Sequence, residues 1–264
     1  MGTTAITPSK FDETERQMLA QFAANEWFLE NHWPENRERV RRIMNELLRR
    51  FPQRSARVLD VGCFNGYMSL FARLLGFEVT GSDAFAFVDR QMIFRDFGIE
   101  FLETNLNATR PFLQVGDATY EAVIFAEIFE HILNHPLGVL REIARILKPD
   151  GLLLMTTPNP STVTNAVRIL LDRHSLWGTD SFGEMQKFGD NGTICQADIH
   201  YREYRTREVN DLLRKAGFKV CQVSYMGMGS PENENVLKRV VKRSCARLLR
   251  RRLFGNTQFI VATR

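Results

Sequence analysis

Apolar and polar positions along this chain change period several times, and each change marks an element. Residues 1 to 10 are polar and carry no packed pattern. From Phe11 to about Glu30, Met18, Leu19, Phe22, Ala23, Trp27 and Phe28 recur at helical spacing and predict one helix. His32-Trp33-Pro34 reads as a break. A second helix, from Glu35 or Asn36 to Arg50, follows with Val40, Ile43, Met44, Leu47 and Leu48 on one stripe. The pattern then shortens. Arg57 to Val61 is a compact apolar run of the kind that a buried parallel strand shows.

From there strands and helices alternate. Tyr67 to Leu75 reads as a helix stopped by Gly76, and Glu78 to Gly81 as a strand that delivers Asp83 at its carboxyl end. Residues 84 to 97 form the next expected helix, followed by strands Ile99 to Glu103 and Tyr120 to Phe125. Leu137 to Leu147 is a helix, Lys148-Pro149-Asp150-Gly151 a turn, and Leu152 to Thr157 the fifth strand. Thr206 is placed to cap a helix over Arg207 to Lys215, stopped by Gly217. Phe218 to Ser224 and Gln258 to Thr263 give strands six and seven. Strands alternating with helices predict an α/β class with a largely parallel sheet and helices on both faces.

Two stretches stand outside this alternation. Residues 158 to about 205 make a long excursion, which at a ligand edge is a place for an acceptor pocket. It carries Asn165, Leu170, Trp177, Phe182, Met185 and Phe188, with acidic Asp180, Glu184, Asp190 and Asp198 and no Lys/Arg cluster. That composition disfavours a phosphate-tracking groove for nucleic acid. Residues 235 to 254 put Leu237, Val240, Val241, Leu248, Leu249 and Leu253 on one helical face. Lys238, Arg239, Lys242, Arg243, Arg247, Arg250, Arg251 and Arg252 crowd the remainder. Such a helix either packs on the sheet with a solvated basic face, lies on an anionic membrane at ~1 kcal/mol per basic residue, or meets nucleic acid.

Composition narrows the class. The 264 residues are 44% apolar and 25% charged, which suits a soluble globular domain with one substantial core. Four cysteines, Cys63, Cys195, Cys221 and Cys245, form no C-x-x-C pair, against a zinc knuckle or disulfide framework and for a reducing compartment. No basic-then-apolar signal pattern opens the chain, and no apolar run reaches the ~18 residues of a membrane span. A cytoplasmic protein, with the option of peripheral contact at the inner face of a membrane, is the expectation.

The chemistry concentrates around Val58-Leu59-Asp60-Val61-Gly62-Cys63-Phe64-Asn65-Gly66. A βαβ unit brings both strand ends to one sheet edge, where Asp83 is placed to accept hydrogen bonds from a ribose diol. A dinucleotide would need G-x-G-x-x-G, yet Phe64 stands where the second glycine would be, and no G-K-[ST] is present for a triphosphate. The ligand is therefore expected to be a nucleoside without phosphates. A second cluster ends strand four, in Ala126-Glu127-Ile128-Phe129-Glu130-His131. The i, i+3, i+4 spacing of Glu127, Glu130 and His131 would project all three from one face of a helical turn.

This set resembles the class I S-adenosylmethionine (SAM)-dependent methyltransferases, from about Arg57 to Arg264. The E-x-x-E-H stretch is similar to that of the ubiquinone-pathway O-methyltransferases and of small-RNA 3′-terminal 2′-O-methyltransferases. The resemblance implies a Rossmann-like seven-stranded sheet, mostly parallel with an antiparallel last strand. It implies that SAM is held by Asp60, Gly62, Cys63, Gly66, Asp83, Asn105, Leu106 and Ala126, with Asn105 and Leu106 at the adenine. Asn105 also reads as an Asx turn ending a strand. His131 and Glu130, with His200, are the candidates for activating an acceptor hydroxyl, as base or orienting groups. A divalent metal held by Glu127, Glu130, His131 and His200 is the less favoured option, and plain helix packing a third. Asp117 and His135 read as turn residues.

Residues 1–52 are expected to be N-terminal helices, packed on the sheet edge or, through Trp27, Phe28 and Trp33, covering the substrate. Residues 53–264 form the SAM-binding domain. The predicted function is SAM-dependent methyl transfer to an oxygen of a small-molecule, sugar or lipid-linked acceptor. Metal-dependent 2′-O-methylation of small RNA and a non-catalytic SAM-binding module are the rivals.

Overall fold

The computed structural model describes residues 6–84, 88–112, 114–171, 173, 186–188, 194–197, 200–227 and 251–264. The basic stretch expected as a helix lies outside them up to residue 250, as does most of the excursion between 174 and 199. Seven strands form the main sheet: β1 (Arg57–Val61), β2 (Glu78–Asp83), β3 (Glu100–Glu103), β4 (Tyr120–Ala126), β5 (Leu147–Pro158), β8 (Lys219–Met226) and β9 (Thr257–Thr263). Two short strands, β6 (Gln186–Phe188) and β7 (Ile194–Ala197), pair with each other inside the excursion.

The order across the sheet is β3-β2-β1-β4-β5-β9-β8. The first five run parallel, while β9 inserts between β5 and β8 and is antiparallel to both. This is the expected Rossmann-like sheet with its antiparallel last strand. The chain order reverses between β1 and β4, so their carboxyl ends open a crevice where ligands bind in such sheets.

Alternation within the strands explains why both faces are covered. Val58, Ala122, Ile124, Leu152 and Leu154 point into one apolar layer, and Leu59, Val123, Phe125, Leu153 and Met155 into the other. Period-2 side chains that are apolar on both faces need helices on both sides. α1 (Pro8–Ala20), α2 (Trp33–Arg50) and α3 (Tyr67–Leu74) cover the first layer. α5 (Pro136–Ile146) and α7 (Thr206–Lys215) cover the second. α4 (Val88–Phe97) connects β2 to β3, and α6 (Val163–Leu170) follows β5.

The N-terminal region departs from the sequence reading. The expected single helix from Phe11 to Glu30 ends at Ala20, and no break occurs at His32-Trp33-Pro34. A π-helical turn over Phe28–His32 runs directly into α2, with the Trp33 N–H donating to the Phe28 carbonyl. Pro34 lies in the first turn of α2, where its fixed φ suits the helix. Of the aromatic residues expected either to pack on the sheet edge or to cover the substrate, Phe28 and Trp33 are buried in the core against Tyr67 and Phe71. Trp27 is 56% exposed.

Thr206 is also not a cap. It is the first residue of α7, and its hydroxyl shares a hydrogen bond of 2.7 Å with the Tyr225 hydroxyl. The Glu208 carboxylate closes the helix start instead, accepting the Arg205 N–H at 2.8 Å.

Candidate active site

The first loop leaves β1 at Val61 and is folded back on β2. The N–H groups of Gly62 and Cys63 both donate to the Ser82 carbonyl, at 2.8 and 3.0 Å. Gly62 and Gly66 adopt φ of +72° and +88°, where a side chain would be strained. Space forbids one as well: a Cβ on Gly62 would lie 2.2 Å from Ile128 Cδ1, and one on Gly66 2.6 Å from the Phe94 ring. Phe64, between them, is left-handed too, at φ +50°. A bulky residue there costs on the order of 1–3 kcal/mol and persists only where its surroundings hold it.

Asp83 ends β2 as expected, and its Oδ2 accepts the Phe64 N–H at 2.9 Å. Asp60 lies deeper. It is buried, and its Oδ2 accepts the Ser69 hydroxyl at 2.6 Å, tying β1 to α3. Burial above all, with the nearby Asp83 charge, pushes its carboxyl up to about 7. Cys63 is buried, and burial holds its thiol well above its ordinary range. Asn105 forms the Asx turn, its Oδ1 accepting the Asn107 N–H at 2.9 Å, and Leu106 packs on the second apolar layer.

At the end of β4, Glu127, Glu130 and His131 do not share one helical face. Glu127 has φ +55°, which breaks any helical turn before it starts, and only Phe129–His131 form a short 3-10 turn. Glu127 turns toward α2 and pairs with Arg39, Oε2 to Nη2 at 3.3 Å. Glu130 turns inward. It is buried, and its Oε2 accepts the Thr157 hydroxyl of β5 at 2.9 Å. Burial first, then the Glu127 charge, pushes the Glu130 carboxyl well up, toward its protonated form.

His200, seventy residues along the chain, arrives at the same place. The N–H groups of Tyr201 and Arg202 donate to the Glu130 carbonyl at 2.9 and 3.3 Å, anchoring the segment that carries it. The His131 and His200 rings meet edge to face with centroids 5.0 Å apart. His131 Nε2 stands 4.0 Å from Glu130 Oε1. His200 Nδ1 is 2.8 Å from Glu203 Oε1, a contact that fixes the orientation of the ring. One ligand atom each from Glu130, His131 and His200 all lie within 4.8 Å of one another. Glu127, expected as a fourth member, is not part of this group. His135 is at the N-cap of α5, and Asp117 pairs with Arg145 at 2.7 Å, both outside the cluster.

The structure adds residues that the sequence reading passed over. Arg39 projects from α2 to Glu127 and lies close enough to the Tyr67 hydroxyl to act on it electrostatically, while burial and the Asp60 charge push that phenol up to about 12. His32, in the π-helical turn, lies over the first loop, 5.3 Å from the rings of both Phe64 and Tyr67. Burial, then the Arg39 charge, lowers its imidazole to about 4, so it is neutral near pH 7. The signal for Arg39 was present: it lies three residues from Asn36 and four from Ile43, along the buried stripe of α2.

Among the described residues, the buried atoms His32 Nε2, Asn65 Nδ2, Glu127 Oε1 and Glu130 Oε1 have no hydrogen-bond partner. Unpaired buried polar atoms are costly, and these four come from elements that surround one loop. A small zwitterionic nucleoside such as SAM, with donors and acceptors at both ends, fits that arrangement.

Residues 19–223 match the family model described as a methyltransferase domain. The ubiquinone biosynthesis O-methyltransferase of Xanthomonas campestris pv. campestris (strain B100) is 27% identical over 230 residues, covering 83% of this chain and 86% of that protein. The protein of the same description from Maricaulis maris is 30% identical over 121 residues, 45% of this chain and 47% of that one. Among solved structures, a SAM-dependent methyltransferase from Archaeoglobus fulgidus superposes with a TM-score of 0.55 at 17% identity, over 91% of this chain and all of that one. The 1,6-didemethyltoxoflavin-N1-methyltransferase of Burkholderia thailandensis gives 0.52 at 13% identity, over 100% of this chain and 93% of its own. The chain belongs to the methyltransferase domain family, and it is a SAM-dependent methyltransferase.

Proposed function

We propose that this enzyme methylates a hydroxyl oxygen of a small-molecule, sugar or lipid-linked acceptor, with His131 taking the proton. The observation that carries the reading is the convergence of Glu130, His131 and His200 at the carboxyl end of β4, beside the first loop. The relatives named as O-methyltransferases support it at the level of the reaction. SAM, when bound, supplies an electrophilic methyl on a sulfonium and so most of the driving force. Asp83 binds the ribose diol, and the loop from Gly62 to Gly66 receives the rest of the nucleoside by backbone approach. His131 accepts the acceptor's proton as its oxygen gains the methyl, and solvent then receives that proton. Glu130 orients the His131 ring from its buried position, and Glu203 fixes the His200 ring. Alignment of the acceptor is the larger part of the work that these residues do.

The clustering of three ligand atoms within 4.8 Å also favours a second reading, in which Glu130, His131 and His200 would hold a divalent cation that would supply a Lewis acid for the acceptor hydroxyl. Arg39 argues against Glu127 as a further ligand, because that carboxylate already has a cation beside it. Metal content of the purified enzyme, with SAM binding and turnover followed with and without chelator, tests the two. Turnover that survives complete metal removal, and falls on His131→Ala, supports the base. Stoichiometric metal lost on His200→Ala, with turnover lost alongside, replaces it with the cation. Turnover unaffected by His131→Ala in a metal-free enzyme defeats both.

A further inference from the structure

Arg90 of α4 is among the largest fully buried side chains of the protein, and neither the fold nor the methyl transfer described above requires it. A buried guanidinium persists only where its charge and its donors are matched. Its Nη1 donates to the Phe64 carbonyl at 2.9 Å, lies 3.7 Å from Asp83 Oδ2 and approaches Cys63 Sγ at 3.9 Å. Its plane covers the Phe101 ring, with Cζ 4.2 Å from the centroid. The same Asp83 Oδ2 takes the N–H of Phe64. Both peptide groups flanking the Phe64 Cα are therefore held, one by Asp83 and one by Arg90, and those two side chains face each other.

That ring of contacts closes on the one residue of the loop whose backbone ought to be a glycine. Phe64 adopts φ +50°, a conformation an aromatic residue does not take unaided. We propose that Arg90 is a positioning residue for the methyl donor: it holds Phe64 left-handed and Asp83 in place, doing by side-chain contacts what a glycine at position 64 would do by conformational freedom. The proposal rests on the reading that Asp83 binds the ribose, and it adds a residue that touches no substrate. Asp83 and the Phe64 carbonyl face the Arg90 Nη1 and the Phe101 ring lies against the guanidinium plane, contacts that offset part of the cost of burying the charge.

The test is SAM affinity by calorimetry, with KM and kcat measured beside it. Arg90→Met should weaken SAM binding at least about tenfold while kcat at saturating SAM stays within about twofold. Phe64→Gly, which adopts the left-handed conformation freely, should recover most of that affinity in the Arg90→Met background. A purely structural arginine would lower the melting temperature without this pattern. Unchanged SAM affinity in Arg90→Met, or a loss that Phe64→Gly does not recover, overturns the proposal. Should Arg90→Met not fold, Arg90→Lys keeps the charge and loses the planar stacking on Phe101, and unchanged affinity there overturns it equally. Asp83→Asn separates the two levels. Unchanged affinity in Asp83→Asn removes the ribose reading and the clamp with it, whereas a normal loss there with an unaffected Arg90→Met removes the clamp alone.

Discussion

Arg39 Nη2 and Glu127 Oε2 stand 3.3 Å apart, joining α2 to the carboxyl end of β4. Both side chains are largely withdrawn from solvent, and Glu130 lies behind them with a carboxyl held toward its neutral form. The pair therefore does two things: it fixes the N-terminal helices on the sheet edge, and it commits the Glu127 carboxylate before any metal or acceptor arrives. Arg39→Met should leave a half-buried Glu127 without its cation, costing on the order of 1–3 kcal/mol of stability. Adding Glu127→Gln to that variant should restore much of the loss, since it removes the orphaned charge. Denaturant unfolding of the two single variants and the double variant measures the coupling, and simple additivity would show that the ion pair is not what matters.

Much of this geometry was legible in the chain, and the exceptions have identifiable causes. The sheet could be read because each central strand is a short apolar run bounded by Gly or a polar turn, as at Val58–Val61 and Leu152–Thr157. Asp83 could be placed because a parallel strand delivers its last residue to the ligand edge. The convergence of His131 with His200 rested on the resemblance alone, since the contact that makes it, Tyr201 and Arg202 on the Glu130 carbonyl, is a backbone one that no side-chain pattern encodes. The Glu127 placement failed because i, i+3, i+4 spacing means a shared face only on a helix, and a residue at φ +55° ends one. His32-Trp33-Pro34 misled in the same way, because proline is compatible with the first turn of a helix as well as with its end. Arg39 was legible only from its place along the buried stripe of α2, because in a helix with arginines at 37, 39, 41, 42, 49 and 50 composition alone does not single out the one that turns inward.

If His131 handles the acceptor's proton, its loss should separate chemistry from cofactor binding. His131→Ala is expected to leave SAM affinity within about twofold of the parent, because the ring packs against His200 and stands 4.0 Å from Glu130 Oε1. Turnover should fall by about a hundredfold or more, the usual scale for a general base. Calorimetry and a methyl-transfer assay on the same preparations decide it, and equal losses in both would move His131 into the cofactor's own binding site.

Asp60 predicts an inverted dependence of stability on pH. The folded protein holds its proton to about pH 7, whereas the unfolded chain releases it near 3.8. Its contribution is therefore fully present below about 3.8 and is lost as pH rises through the folded value, by on the order of 4 kcal/mol. Asp60→Asn keeps an acceptor for the Ser69 hydroxyl and has no proton to lose. The variant should gain stability relative to the parent progressively from about pH 4 to about pH 7, with a constant difference above that. Unfolding midpoints across that range that run parallel for the two proteins would mean that Asp60 is already ionised in the native fold.

His32 carries the opposite sign. Its imidazole is lowered to about 4 in the folded protein from an ordinary value of 6.5, first by burial and then by Arg39. The stability tied to its neutral form is present above 6.5 and is lost as pH falls toward 4, because the unfolded chain takes up the proton earlier. The ring is enclosed by Trp27, Phe28, Phe64 and Tyr67, so protonation would place a second positive charge beside Arg39 in an aromatic setting. His32→Phe preserves that packing and removes the titration. Relative to the parent, the variant should therefore gain stability progressively between pH 6.5 and 4, while the difference between the two proteins stays constant above 7. Melting temperatures measured at half-unit steps of pH provide the comparison. A constant difference over the whole range would show that His32 titrates alike in the folded and unfolded chains, and so that its ring is open to water above the first loop.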